Sequence, residues 1–60
     1  MDHEIKQVAK EAMKLCCMCD LLSEMNDPDT TRYYDSSDFM QIEIDIRKQK
    51  ELVITKIKEL

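Results

Sequence analysis

Three cysteines lie within four residues of one another, and they are the side chains of this chain most able to do chemistry. Cys16 and Cys19 have the spacing of two zinc ligands on one face of a helix, and a thiol pair is also the minimum for a redox centre. A structural zinc site needs four ligands, and the single histidine, His3, lies more than three helical turns before Cys16. Cys16 and Cys19 are therefore candidate metal ligands only if two chains each donate a pair.

The position of the cysteines does not favour redox chemistry. Reactive dithiols lie at a helix N-terminus, where the helix dipole stabilises a thiolate, whereas the surrounding apolar pattern places these thiols in the middle of a helix. Reduced cysteine packs as a small apolar residue. We therefore expect the segment "KLCCMCDLL" (residues 14–22) to belong to a core or an interface, with no metal or other cofactor.

Two segments have apolar side chains that step by three and four residues, which is typical of helices with one packed face. The first stripe comprises Ile5, Val8, Ala12, Leu15, Cys19 and Leu22, and the second comprises Phe39, Ile42, Ile46, Val53, Ile57 and Leu60. The second stripe is interrupted at Gln49 or Lys50. The chain has no glycine and one proline, Pro28, which favours helices over hairpin sheets.

The boundaries of these helices follow from the residues between them. Pro28 prevents the first helix from continuing, so we expect it to span about 3–25. We expect the second helix to span about 38–60, with a capping box between Asp38 and Gln41 or with Ser37 as an alternative cap. The connection, about 26–37, has room for an additional helical turn that starts with Asp27 as its cap.

Two such helices are each about 35 Å long and match as the arms of an antiparallel hairpin, so the predicted fold is all-α with one domain over residues 1–60. The alternating segment "IEIDI" (residues 42–46) supports a less favoured alternative, a helix followed by a β-hairpin within residues 39–57. We prefer the helix because lysine, glutamine, glutamate and leucine dominate the residues that follow.

The first helix is apolar on nearly every side around the cysteines, which is more surface than one partner helix can cover. We therefore expect the hairpin to form a homodimer, a four-helix bundle of two chains. The candidate self-association residues are Leu15, Cys17, Met18, Leu21, Leu22, Met25, Met40 and Ile44.

Charge is distributed unevenly along a chain whose net charge is −4. Residues 1–19 are neutral overall, residues 20–45 carry eight acids and one base (−7), and residues 46–60 carry five bases and two acids (+3). The acidic block repels phosphates, so we expect no direct nucleic-acid binding. There is no apolar run long enough to span a membrane and no basic, apolar leader, so we expect a cytoplasmic protein, in a cell or an infected host cell, without a membrane partner.

The connection holds the residue types that dominate binding hot spots, tyrosine and arginine. The candidate partner-binding residues are Arg32, Tyr33, Tyr34, Asp35 and Asp38. There is no nucleophile motif or phosphate loop, and a substrate pocket is hard to build at this size, so we expect no enzyme. The favoured function is a small acidic protein-binding module, a regulator or inhibitor of a larger protein, whose composition suits a phage or mobile element. The alternatives are an assembly subunit, a nucleic-acid mimic and, least favoured, a cysteine-based metal or redox site.

Overall fold

The computed structural model describes residues 2–60, which form a helical hairpin. Helix α1 spans Asp2–Met25, a 3-10 turn spans Thr31–Tyr33, and helix α2 spans Ser36–Lys58. Residues 2–60 contain no strand, and the alternating segment 42–46 lies inside α2. The predicted all-α hairpin is confirmed, and the β-hairpin alternative is wrong.

The end of α1 is closed by local hydrogen bonds without a glycine. The Asn26 backbone N–H donates to the carbonyls of Leu22 and Ser23 at 3.1 and 3.2 Å, and the Asn26 side-chain amide also donates to Leu22 at 3.1 Å. These bonds satisfy carbonyls that the helix end would otherwise leave without partners. The chain then leaves the helix just before Pro28, as predicted.

The additional turn predicted after Asp27 is present. The Asp27 carbonyl accepts hydrogen bonds from the backbone N–H groups of Thr30 and Thr31, at 3.0 and 2.8 Å. Its carboxylate accepts from the Asp29 N–H at 2.8 Å, which is the local turn that aspartate typically makes. The Thr30 hydroxyl donates back to the Glu24 carbonyl and so ties the turn to the end of α1.

Helix α2 begins two residues earlier than predicted, because a different aspartate caps it. The Asp35 carboxylate accepts from the Asp38 N–H at 3.0 Å, and the Asp38 carboxylate accepts from the Asp35 N–H at 3.0 Å. Asp38 is therefore the third residue of α2 and closes the capping box that Asp35 opens, and Ser37 lies inside the helix. Aspartate at the third position replaces the more usual glutamate, which is why the spacing pattern alone pointed elsewhere.

The two helices meet along a seam that passes through Met18 and not through Cys19. Val8, Leu15, Met18 and Leu22 are half-buried, and Met25 is buried, whereas all three cysteines are exposed. Met18 and Cys19 are both near the seam on a helix of 3.6 residues per turn, and the longer, more flexible thioether reaches the partner helix. The expectation that Cys19 packs between the helices is wrong.

The second stripe is interrupted at Gln49, which is buried, and not at Lys50, which is exposed. The Gln49 side-chain amide donates to the Glu11 backbone carbonyl at 2.9 Å and to the Glu11 carboxylate at 2.7 Å. This hydrogen bond lowers the pKa of Glu11 below its ordinary value; partial burial acts in the opposite direction, and Lys14, 3.4 Å from the carboxylate, adds to the lowering. One polar pair thus links the middles of both helices.

The hairpin is a plate of 45 × 17 × 10 Å, only one helix thick. The buried apolar residues among those described are Met25, Ile42 and Val53, and of these Met25 is the most enclosed, at 2% exposure. Ile5 and Ile57, which the stripes placed in the seam, are 55% and 52% exposed. A plate of this thickness has a seam but no interior.

Met25→Ala is expected to lower the free energy of unfolding by about 2–3 kcal/mol, since it empties the best-packed position of the seam. The same substitution at Met13, whose side chain is 68% exposed, is expected to change it by less than about 0.5 kcal/mol. Urea unfolding followed by circular dichroism measures both. Equal effects of the two substitutions would contradict the described seam.

The Glu11 carboxylate is expected to titrate at a higher pH in Gln49→Leu than in the unchanged protein, because the substitution removes the amide donor. A pKa lowered by folding means that the hydrogen bond stabilises the hairpin fully above the pKa of an unfolded glutamate, ~4.3, and that this stabilisation is lost as the pH falls through the lower folded pKa. Carboxyl NMR titration measures the shift. The control is Gln41→Leu, since the Gln41 amide donates to Asp45 and not to Glu11; an unchanged Glu11 pKa in Gln49→Leu would refute the assignment.

Candidate functional site

The loop end of the hairpin carries a groove between the two helices, which we call the tip groove, with a volume of about 210 Å³. It is lined by Leu21, Met25, Tyr34, Asp38, Gln41, Ile42 and Asp45. The last turns of α1 and the loop residue Tyr34 supply one side, and the first turns of α2 supply the other. The walls are mainly apolar, and two carboxylates belong to the lining.

Among the predicted partner-binding residues, Tyr34 and Asp38 line the tip groove. Tyr34 follows the 3-10 turn in extended conformation, with a backbone N–H that donates to Thr31, and its side chain is half-buried. The turn that starts at Asp27 therefore brings the tyrosine back over the end of α1. An aromatic residue held in this way loses little conformational freedom when a ligand binds.

Arg32 and Tyr33 form a separate, exposed pair beside the groove. An Arg32 guanidinium N–H donates to the Tyr33 hydroxyl at 3.0 Å, and the guanidinium carbon lies 5.0 Å from the centre of the ring. The Tyr33 side chain is 68% exposed. The pair orients two large side chains at the surface of a strongly acidic region, and neither residue lines the groove.

The two predicted aspartates are engaged in the structure of α2. Asp35 and Asp38 accept each other's backbone N–H groups in the capping box, so one oxygen of each carboxylate is already used. Asp35 thus has a structural task in the hairpin, and Asp38 combines that task with a place in the groove wall. A carboxylate with a second free oxygen can still accept a hydrogen bond from a ligand.

Sequence reasoning missed Gln41 and Asp45 as groove residues. They lie one turn apart on α2, and the Gln41 amide donates to the Asp45 carboxylate at 2.9 Å. The repeated spacing of Asp38, Gln41 and Asp45 was a signal that these side chains share one edge of a helix. The loop that closes over this edge could not be placed from spacing alone.

The predicted self-association residues divide into two groups. Four lie in or beside the seam, Met25 buried and the others half-buried: Leu15, Met18, Leu22 and Met25. Four are exposed: Cys17, Leu21, Met40 and Ile44. The exposed four point in several directions around their helices, so they do not form one continuous surface of the hairpin.

The cysteines do not assemble a ligand set within one chain. All three are free and exposed on α1. Within residues 2–60 there is no group of three or more histidine, cysteine, aspartate or glutamate side chains placed to hold a metal ion. Cys16 and Cys19 remain a pair on one helix surface.

The opposite end of the hairpin has a larger, basic depression of about 300 Å³. It is lined by His3, Lys6, Gln7, Lys10, Glu11 and Lys56. Because the two helices of the hairpin run in opposite directions, residues 20–45 occupy the loop end, and the neutral segment 1–19 and the basic segment 46–60 occupy the other end. The plate therefore has an acidic end (−7) and a basic end (+3).

Comparisons with protein-family models, with curated protein sequences and with solved structures found no match. Within residues 2–60, neither helix combines the length and the apolar character needed to cross a membrane.

Asp35→Ala is expected to destabilise the hairpin by about 1 kcal/mol, because the first turn of α2 loses its cap. Ser37→Ala is the control, since Ser37 lies within the helix and not at its cap. Thermal unfolding followed by circular dichroism compares the two variants. A larger effect of Ser37→Ala would show that the helix starts where the spacing pattern first placed it.

Proposed function

We propose that this protein is a non-enzymatic protein-binding module that regulates or inhibits a larger protein by covering a basic site on it. The observation that carries the proposal is the tip groove, an apolar cleft bounded by carboxylates at the acidic end of the plate. The module acts as a homodimer whose second copy covers apolar surface that one hairpin leaves exposed.

The groove suits an apolar side chain flanked by positive charge. Leu21, Tyr34 and Ile42 supply apolar wall, and Leu21 is 40% exposed, so it is available for contact. The carboxylates of Asp38 and Asp45 lie where lysine or arginine groups beside that apolar anchor would meet them. In protein interfaces, buried apolar anchors provide most of the affinity, and the charged groups around them fix the orientation of the partner.

The charge of the acidic end acts before contact. Seven net negative charges on one half of a 7.1 kDa chain attract a basic partner surface at a distance and raise the association rate. Such attraction weakens with salt, because the screening length is about 8 Å at physiological ionic strength. We therefore expect partner binding to weaken as salt is added.

The non-enzymatic part of the proposal rests on the kinds of groups that line the groove. Its titratable side chains are Tyr34 and two carboxylates, and Asp38 is engaged in the cap. His3 lines the depression at the other end of the plate, so the groove does not pair a histidine with a nucleophile. Both carboxylates already accept a hydrogen bond from the protein, Asp38 from the Asp35 N–H and Asp45 from the Gln41 amide, and the apolar remainder of the groove is suited to holding a side chain.

A random peptide library displayed on phage and selected against the protein in low salt tests the proposal. We expect enrichment of peptides that carry an apolar residue beside lysine or arginine. Leu21→Ala is expected to weaken binding of an enriched peptide at least tenfold. Leu52→Ala is the matched control, because Leu52 is 38% exposed but does not line the groove; equal losses would remove the groove from the proposal.

The charge contribution has its own matched pair of variants. Asp45→Asn removes a groove carboxylate, and Asp29→Asn removes the same charge from the loop outside the groove. Binding of the enriched peptide, measured by fluorescence anisotropy, is expected to weaken several-fold more in Asp45→Asn. If both variants lose the same affinity, attraction by net charge alone explains the binding and the groove does not.

A further inference from the structure

We infer that the second copy docks on the face opposite the tip groove and runs antiparallel to the first, so that the two acidic ends lie at opposite ends of the dimer. The inference deepens the proposed function, because it rests on the homodimer proposed there. It specifies the docking surface and the orientation. Both follow from the exposed area of the hairpin and from the distribution of its charge.

The exposed area matches what a dimer would cover. A folded monomer of 7.1 kDa has an accessible surface of roughly 4,100 Å². The hairpin exposes 4882 Å², which is about 800 Å² more. A standard protein interface buries about 800 Å² on each partner. One face of a second copy is therefore enough to bring the exposed surface to the value expected for a folded chain.

From Ile5 to Ser23, one edge of α1 carries no charged side chain, and we call it the uncharged edge. Its residues step by four and three, and they are Ile5, Ala9, Ala12, Cys16, Cys19 and Ser23. Ala12 is half-buried and the other five are exposed. The residues are small apart from Ile5, so a second helix can approach closely. The groove side of α1 carries Lys10 and Lys14 in the corresponding positions.

The same face continues on α2. Each heptad of a helix has two positions in the seam. In an antiparallel helix pair, the residues directly after the second of these positions lie on the same face of the pair in both helices. On α1 these residues include Ala12 and Cys19, which follow the seam at Glu11 and Met18. On α2 they are Glu43, Lys50 and Ile57. Half-buried Phe39, Ile46 and Ile54 adjoin them and supply apolar surface on this side of α2, beside the exposed charges of this edge.

Charge decides the orientation of the second copy. Two copies stacked with their loop ends together would place −7 on −7. Two copies stacked in opposite directions place each acidic end on a basic end that carries +3. Arrangements that oppose like charge are disfavoured, and complementary ones are favoured. The antiparallel arrangement is the one that the charge distribution supports.

The antiparallel arrangement stacks each α1 on the α1 of the other copy. The middle of the uncharged edge, residues 12–16 of one copy, then packs on the same residues of the other copy at the two-fold axis. Glu11 is level with Gln49, so the α2 residues at this height are those between Glu43 and Lys50. Glu43 of one copy therefore approaches Lys50 of the other, so these two charges find opposite partners, whereas Arg47, between them on the same edge of α2, comes near the Arg47 of the other copy.

Two adjacent cysteines test the docking surface. Cys16 belongs to the uncharged edge, and Cys17 lies 100° further around the helix, outside it. Both are exposed in the hairpin, so neither substitution by glutamate is expected to unfold it. Cys16→Glu is expected to weaken dimerisation at least 100-fold in sedimentation velocity under reducing conditions, and Cys17→Glu less than fivefold. The reverse result would overturn the assignment of the face.

Distances between spin labels test the orientation. A single cysteine at Asp29→Cys, in a background of Cys16→Ala, Cys17→Ala and Cys19→Ala, places one label at each loop end. We expect a label separation near 45 Å, the length of the plate. Loop ends placed together would give less than about 30 Å and would overturn the antiparallel arrangement. A label at Lys48→Cys, near mid-plate, is expected to give roughly 20–35 Å in either arrangement and so verifies that the labelled dimer forms.

The two proposals fail in different ways. If the unmodified protein stays monomeric in sedimentation velocity at ~200 µM, both this inference and the proposed dimer are overturned. The partner site in the tip groove is tested separately, by the effect of Leu21→Ala and Asp45→Asn on peptide binding, because the groove lies on the opposite face. A dimer that forms while no peptide is enriched supports this inference and removes the partner site.

Discussion

The structure depends on the fact that two helices make only one layer. A plate 10 Å thick can enclose side chains along one seam, and every other side chain has solvent on at least one side. This is why only three apolar residues are buried among those described and why the cysteines are exposed. Domains normally cover a helix face with a second layer. The exposed area, the uncharged edge and the proposed second copy all follow from the missing layer.

Within that single seam, the pair formed by Gln49 and Glu11 determines how the helices are aligned. Apolar seam residues tolerate sliding by one heptad, because one apolar side chain can replace another. The Gln49 amide restricts this sliding, since it donates to the Glu11 carboxylate and would lose a carboxylate acceptor opposite Met18, one heptad further along α1. A polar residue at such a position typically specifies register at some cost in stability. The tip groove inherits its shape from this alignment.

Much of the fold could be predicted from periodicity, and the errors have local causes. The helices and the hairpin follow from apolar spacing and from Pro28. Asp35 was missed as a cap because aspartate takes the place of glutamate three residues later. Met18 and Cys19 are adjacent to the same seam, so spacing could not decide between them, whereas side-chain length does. The tip groove depends on where the loop returns Tyr34, which is a tertiary property that no pattern within either helix encodes.

The most enclosed side chain of the plate, Met25, is a thioether that can be oxidised. A methionine sulfoxide is polar, so oxidation there would place a polar group where the two helices pack most closely. Reagents reach this thioether only when the loop end opens, whereas Met13 and Met40 are 68% and 64% exposed and react without any opening. The ratio of their oxidation rates is therefore a measure of the opening equilibrium at the loop end. The chain carries its own reference reaction for that motion.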